Sequence, residues 1–348
     1  MRIGEKIKMK EIKWAIIGAG NIAKQFVTEL NKQPQSSVVA IASRHIDSAK
    51  SFAQQFNINT VYETDSALVE QCDADIVYIA SPHQLHFSQA LACLNAGKAV
   101  LCEKPMTLNA QQSTQLIQLA QQKQLFLMEA MITPLLPAIQ AVQTLIAKGD
   151  LGKIKRIQAG MGFQAEADLS SRVFNPDLAG GALLDVGIYP LVLAQLLLKT
   201  SPCSVSSEVE KAVTGVDQQS IVNLKYTVEN DDKQRSEYET STLVQCQSSV
   251  VSFLPCHAVI YGTKLIAELP DFSWSGQKII LKNHQGGVVE EINYAPNENA
   301  YFIEAAHVNQ CLQQGLIESP LVSHQQTVAV LEIMDTLRAQ WSLKYPNE

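Results

Sequence analysis

The chain has 348 residues, of which 46% are apolar and 18% charged, and a formal net charge of −7. At roughly 100–200 residues per domain the length allows two domains, each with its own core. The composition lies far from the polar, highly charged regime of disordered chains. No Lys/Arg cluster of the kind that grips a phosphate backbone is present, which argues against a nucleic-acid partner. No apolar run approaches the ~20 residues that span a bilayer, which argues against a membrane partner. The basic N-terminal stretch has no apolar segment behind it and does not read as a signal peptide. The seven cysteines are odd in number and scattered, without a C-x-x-C pair. Neither a disulfide framework nor a structural zinc site is expected, and reduced thiols point to the cytoplasm.

Residues 1–11 read as a solvated tail. Residues 12–17 form a strand, a glycine turn follows, and a helix runs from about 21 to 31. A second strand covers 37–43. The helix predicted over 47–56 places Ala49, Phe52, Ala53 and Phe56 on one face. Continuous apolar strands are predicted at 75–80, 98–102 and 124–130, with helices at 84–96 and 109–123 between them; the glutamines of the latter read as a solvated face. Strands that are apolar on both sides and alternate with helices make a doubly wound parallel sheet, a Rossmann domain over 12–133.

The pattern changes after residue 134. Pro134 and Pro137 bracket the start of a helix over 138–148. Strand-like runs then recur at 153–163, 220–228, 237–246, 257–263, 265–269, 278–283 and 288–294, separated by turns such as Asn230-Asp231-Asp232 and Gly286-Gly287. That is an antiparallel sheet, interrupted by one helix at about 180–198. Helices return at 298–314 and 324–341. The second unit, 134–348, is therefore an α+β domain, and its last helix is expected to pack back on the first.

Four motifs carry chemistry. Gly18-Ala19-Gly20-Asn21-Ile22-Ala23 is a G-x-G-x-x-A turn between a strand and a helix, the setting of a dinucleotide fingerprint. Gly18 permits the tight turn, Gly20 lets the backbone approach a pyrophosphate, and the helix N-terminus attracts the charge. The second strand ends in Ser43-Arg44-His45, where an NAD site would carry an acid; a guanidinium there suits a 2′-phosphate, so NADP is expected over NAD. The plainer reading of Arg44 is a surface residue with loose selectivity. Glu103-Lys104-Pro105 follows a buried strand and Ser81-Pro82-His83, with His86, follows another, so both line the crevice at the strand C-termini. Two histidines three apart could suggest a metal, but no third ligand has sensible spacing; hydrogen bonding or cofactor packing is expected and no metal site. In Gly180-Gly181-Ala182-Leu183-Leu184-Asp185-Val186-Gly187-Ile188-Tyr189, Asp185 and Tyr189 are four apart and share a helix face. The plainer reading there is a buried tyrosine whose hydroxyl Asp185 satisfies.

GAGNIA at 18–23, ASR at 42–44, SPHQLH at 81–86, EKP at 103–105 and GGALLDVGIY at 180–189 resemble the Gfo/Idh/MocA oxidoreductase family over nearly the whole chain. KAVLCEKP, FLMEA and AGGALLDVGIY bring it nearest to the dimeric dihydrodiol dehydrogenases of that family. The resemblance implies a Rossmann domain followed by an open, mostly antiparallel sheet domain, often the dimer interface, so a homodimer through that sheet is expected. It implies Lys104 and Tyr189 as catalytic residues with Asp185 supporting the substrate. Many sugar dehydrogenases of the family carry His where this chain has Tyr189. It also implies a cis bond at Lys104–Pro105.

The expected reaction is hydride transfer between NADP and a hydroxyl of a cyclic diol or sugar. Tyr189 is the expected general base, its phenol lowered by the Lys104 ammonium and the nicotinamide charge. Arg172, Phe174 and Trp274 are candidate substrate-pocket residues. The competing readings are an aldose 1-dehydrogenase acting on a sugar such as D-xylose, favoured by a polar pocket, and a non-catalytic NADP-sensing regulator, which can dispense with the Lys/Tyr pair.

Overall fold

In the first third of the chain, runs that are mainly apolar become strands of a sheet with helices on both faces. The computed structural model describes residues 11–227, 241–274, 276–294, 299–346 and 348. Among these, six parallel strands form the first sheet: β1 Ile12–Ile17, β2 Ser36–Ala42, β3 Thr60–Tyr62, β4 Ile76–Ile79, β5 Ala99–Glu103 and β6 Leu127–Ala130, in the order β3-β2-β1-β4-β5-β6. Helices α1 Asn21–Leu30, α2 Ile46–Phe56, α3 Asp65–Gln71, α4 His86–Asn95 and α5 Ala110–Lys123 connect them.

Alternation along each strand splits the core in two. Trp14, Ile16, Tyr78 and Leu101 belong to one cluster, and Ala15, Ile17, Val77 and Val100 to the other. The strand order reverses between β1 and β4. That switch point opens a crevice beyond their carboxyl ends, where Gly18 and Ser81 begin.

The sequence pattern alone assigns no element to residues 57–74. β3 is three residues long, too short to show a period, and α3 is a seven-residue helix capped by Thr64 Oγ, which accepts from Ala67 N at 3.1 Å.

The second sheet contains, among the described residues, β7 Ile154–Gln164, β8 Ser204–Lys211, β9 Asp217–Thr227, β10 Ser241–Ser249, β11 Val251–Gly262, β12 Ile266–Leu269, β13 Lys278–Lys282 and β14 Val288–Asn293. Their order is β14-β13-β12-β11-β7-β10-β9-β8. Every pairing is antiparallel except β7 with β10. The edge strand β8, SVSSEVEK, escaped the sequence reading because it is polar and largely solvated. The turn expected at 230–232 and the start of the strand expected at 237–246 lie outside the described residues.

One face of this sheet is packed and the other open. Along β9, Val222, Leu224 and Tyr226 point inward while Ile221, Asn223 and Lys225 point out. The inner face meets α6 Pro137–Lys148 and α7 Ile188–Leu198. Contrary to the sequence reading, the segment Pro176–Leu198 is long and apolar enough to cross a membrane by length and composition; 94% of its apolar window is buried inside the protein, and α7 within it is a core helix. Helices α8 Ala300–Gln313 and α9 His324–Gln340 return to the first sheet. Trp14 Nε1 donates to Asn309 Oδ1 of α8 at 3.2 Å, and Arg338 of α9 donates to Leu108 O at 2.9 Å.

Candidate active site

The glycine turn after β1 is shaped by its neighbours. Gly18 sits at φ +106°, and a Cβ there would lie 2.5 Å from Ala80 O. Only glycine fits both the conformation and the close approach. Gly20 is the N-cap of α1 and offers no side-chain cap, so the first N–H groups of the helix keep their capacity for an anion. A Cβ on Gly20 would meet no atom of the described residues within 4 Å. The backbone there is left clear, as a dinucleotide pyrophosphate requires. The residues therefore fit a nicotinamide dinucleotide.

A cavity of about 940 Å³ runs from this turn in two directions. Gly18, Ala19, Gly20, Asn21 and Ile22 line its middle. One end reaches Ser43 and Arg44, joined by His45 and Ser48, which the sequence reading did not single out. Ser81, Pro82, His83 and His86 wall it from the end of β4, and Glu103 and Lys104 from the end of β5. Arg172, Asp185, Tyr189 and Trp274 line the other end. Phe174 does not belong there. It is 5% exposed and packed in the core, because the chain turns inward after Arg172.

At this second end of the cavity Lys104, Asp185 and Tyr189 meet. Lys104 Nζ donates to Asp185 O at 2.5 Å and to Asp185 Oδ1 at 3.2 Å, and lies 5.2 Å from the centroid of the Tyr189 ring. Arg172 Nη1 stands 3.1 Å from Asp185 Oδ2. The Asp185 carboxylate thus serves Lys104 and Arg172, rather than the phenol of Tyr189 as the plainer reading had it. Burial opposes its ionisation, yet Lys104 and Arg172 together hold it well below the usual carboxylate range. The peptide bond between Lys104 and Pro105 is cis.

The phenol behaves differently from the expectation. Burial first, then the charges of Glu103 and Asp185 and the neighbouring Tyr301, push Tyr189 well above the usual tyrosine range. Without cofactor charge, Tyr189 is an acid rather than a base.

His86 is fully buried, with Nδ1 2.8 Å from Pro105 O and Nε2 2.9 Å from Ser81 O. It ties the two motif loops together. His83 Nδ1 faces Ala179 O at 3.1 Å, and burial with the charges of His86 and Lys104 lowers it to about 3. Among the described residues no group of three or more His, Cys, Asp or Glu side chains could hold a metal ion.

The walls around Tyr189 are aromatic and apolar. Trp274 lies between Tyr189 and Tyr301, with ring centroids 6.1 Å from each. Met161 and Phe163 on β7, Leu254 on β11 and Ile132 complete the surface. The sequence reading missed all of these but Trp274. Met161 and Phe163, two apart on a strand, share a face, a signal it could have used. Tyr301 comes from α8 and carries no local signal.

Two family models match. Residues 12–131 match "Oxidoreductase family, NAD-binding Rossmann fold", and residues 139–268 match "GFO/IDH/MocA C-terminal domain". The chain belongs to the Gfo/Idh/MocA oxidoreductase family. As a member, it is a nicotinamide-dependent dehydrogenase acting on CH–OH groups. This Gfo/Idh/MocA enzyme is 33% identical over 342 residues to the trans-1,2-dihydrobenzene-1,2-diol dehydrogenase of Xenopus tropicalis, covering 96% of this chain and 99% of that protein. It is 32% identical over 346 residues to the protein of the same name from Bos taurus, covering 97% and 99%. Among solved structures, the aldose-aldose oxidoreductase of Caulobacter crescentus superposes with a TM-score of 0.81 at 22% identity, over 96% of this chain and 98% of that one. KijD10, a 3-ketoreductase from Actinomadura kijaniata solved with NADP and TDP-benzene, does so with a TM-score of 0.79 at 24% identity, over 95% and 98%. These structures share the two-sheet fold of this Gfo/Idh/MocA enzyme.

Proposed function

We propose that this enzyme interconverts a hydroxyl of a cyclic, largely apolar diol and the corresponding ketone, using NADP. The observation that carries this reading is the Lys104 ammonium, pinned by Asp185 and standing over the Tyr189 ring, in the cavity that begins at the Gly18–Gly20 turn. Bound in that cavity, NADP supplies the hydride acceptor or donor. The cofactor-binding residues are Gly18 to Ile22 at the pyrophosphate, Ser43 and Arg44 at the 2′-phosphate, and Ser81, Pro82, His83, His86, Glu103 and Lys104 beyond. No carboxylate stands at the end of β2; Asp65, which also lines the cavity, follows β3 and accepts from Gln89 Nε2 at 2.5 Å.

Lys104 and Tyr189 handle the proton at the reacting oxygen. In the reductive direction the protonated phenol donates to the oxygen while the ammonium stabilises its negative charge. In the oxidative direction the phenol must first give up its proton, which the ammonium favours and burial opposes. Asp185 fixes the position of Lys104, and Arg172 completes the charge balance.

The aromatic walls support a cyclic diol over a pentose, whose hydroxyls would need polar partners on every side. The names of the full-length relatives point the same way. An aldose 1-dehydrogenase is the second reading, because Arg172, more than half exposed, offers a polar group to the same cavity. A sensor without catalysis has no need of the Lys/Tyr pair present here.

The same reading divides the chain at 133/134 and pairs two copies through the open face of the second sheet, where Ile221 and Leu243 are 44% and 46% exposed. It places the enzyme in the cytoplasm, consistent with seven free cysteines among the described residues. The test is NADPH formation at 340 nm with a trans-1,2-cyclohexadiene diol and with D-xylose. Turnover of the diol alone supports the proposal; turnover of xylose alone replaces it with the second reading; turnover of neither removes both.

A further inference from the structure

The segment that carries Asp185 and Tyr189 does not start as an ordinary helix. Gly181 sits at φ +124°, and its N–H donates to Val173 O at 2.8 Å. Leu183–Gly187 then forms a π-turn before α7 begins at Ile188. Such a start leaves backbone N–H groups without an intrahelical partner, in a part of the molecule that water does not reach.

Asp217, the first residue of β9, answers that need. It is fully buried, and its Oδ2 accepts from Leu183 N at 2.6 Å. Its Oδ1 lies 2.3 Å from where a Cβ on Gly181 would stand and has no hydrogen-bond partner among the described residues. From the other side, Tyr345 Oη donates to Gly180 O at 2.7 Å. The start of the catalytic segment is therefore held between a carboxylate of the second sheet and a phenol of the C-terminal segment.

We propose that Asp217 is a positioning residue for the reaction, which by capping Leu183 sets where Asp185 meets Lys104 and where Tyr189 faces the substrate. The inference rests on the assignment of Asp185 and Tyr189 to the reaction made above.

The cap also has a charge state. Burial pushes the Asp217 carboxyl up to about 7, against the Leu183 N–H and the charge of Arg338. Arg338 on α9 is engaged by Asp335 and Glu348, and Tyr345 stands between it and Asp217, its phenol pushed well up by burial and then by Asp217. The ionised cap makes the stronger bond to Leu183, because charge-assisted hydrogen bonds are stronger than neutral ones. The positioning is therefore fully engaged above about pH 7 and weakens below it. Stability runs the other way. With the folded value raised above the unfolded one, the contribution of this group to stability is present below the usual carboxylate range and is lost as pH rises through about 7.

The test is Asp217→Asn, which keeps the shape and removes the charge, with Tyr345→Phe as a milder variant that loosens the other side of the clamp. For Asp217→Asn at pH 8 the expected result is a fall in kcat of about tenfold, the size of one charge-assisted contact, with KM for NADP⁺ within about twofold and no loss of melting temperature. The inflection in kcat near neutral pH should disappear. Tyr345→Phe should lower kcat in the same direction by less and keep the inflection. An Asp217→Asn enzyme with wild-type kcat, or one that retains the inflection, overturns the proposal. So does a melting temperature that falls in step with kcat, since that is the mark of a purely structural role. Tyr189→Phe runs beside it. If that variant is fully active, the reading of the site has failed; if it is inactive while Asp217→Asn matches wild type, only the positioning role has.

Discussion

Lys104 and Asp185, 81 residues apart in the chain, meet twice: the ammonium reaches both the backbone oxygen of Asp185 at 2.5 Å and its carboxylate at 3.2 Å. The first contact fixes the ammonium to the π-turn itself and the second supplies the counter-charge. The lysine is thus aimed by the same segment that carries Tyr189. Lys104→Met should cut kcat by about 10²-fold or more, the span of a lost acid–base or electrostatic group, while NADPH affinity followed by fluorescence falls by much less. Near wild-type turnover in that variant would remove Lys104 from the reaction.

Asp185→Asn tests the counter-charge separately. The carboxylate is buried and shared by two cations, so the substitution leaves Lys104 and Arg172 short of a partner. Breaking a buried pair in this way costs about 3–5 kcal/mol in the usual case; Arg172 is more than half exposed, so solvent screening should bring the cost to the low end. Melting curves check this. The native carboxylate is held well below its usual range, so the stabilisation it gives is present above the unfolded carboxylate value and is lost as pH falls through the folded one. The wild-type advantage over Asp185→Asn should persist at pH 5. If it has vanished there, the ion pairs are not what holds the carboxyl ionised.

The protonated state of Tyr189 makes the two directions of the reaction respond oppositely to pH. Oxidation needs the phenolate, so its kcat should climb through the alkaline range; reduction uses the phenol and should hold its rate at neutral pH. Tyr189→Phe should abolish the alkaline climb and lose about 10²-fold in turnover. A pH profile for oxidation that is flat from pH 7 to 10 in the wild-type enzyme would show that some other group takes the proton.

Arg44→Ala separates the cofactors. Removing a guanidinium that pairs with the 2′-phosphate should weaken NADPH about tenfold or more and leave NADH within about twofold. Titration of both by fluorescence decides it, and equal weakening would return Arg44 to an ordinary surface role.

The strands of the first sheet were legible because burial on both faces leaves continuous apolar runs, and the motifs were legible because loops after such strands converge on one crevice. β3 and β8 were not, one being too short for a period and the other a polar edge. Phe174 shows the limit at the level of single residues. It is two positions from Arg172, yet one side chain reaches the cavity and the other the core, and only the turn between them decides which. The i, i+4 spacing of Asp185 and Tyr189 suggested a direct contact. The π-turn that begins after Gly181 and the competing cations redirected the carboxylate, and neither is written in the spacing. Tyr301 could not be found at all, since nothing near it in sequence belongs to the site.

The two glycines of the cofactor turn offer a paired test of what each is for. Gly18→Ala places a methyl 2.5 Å from Ala80 O on a backbone at φ +106°, so it strains the fold whether or not cofactor is present. Gly20→Ala adds the same methyl at φ −77°, where no atom of the described residues lies within 4 Å. It should melt like the wild type and lose affinity only for the dinucleotide, by about tenfold or more if the added group meets the pyrophosphate. The melting temperature without cofactor should therefore separate the variants, and the NADPH titration should bring them together. Unchanged NADPH affinity in Gly20→Ala would mean that the dinucleotide does not cross the turn at that point.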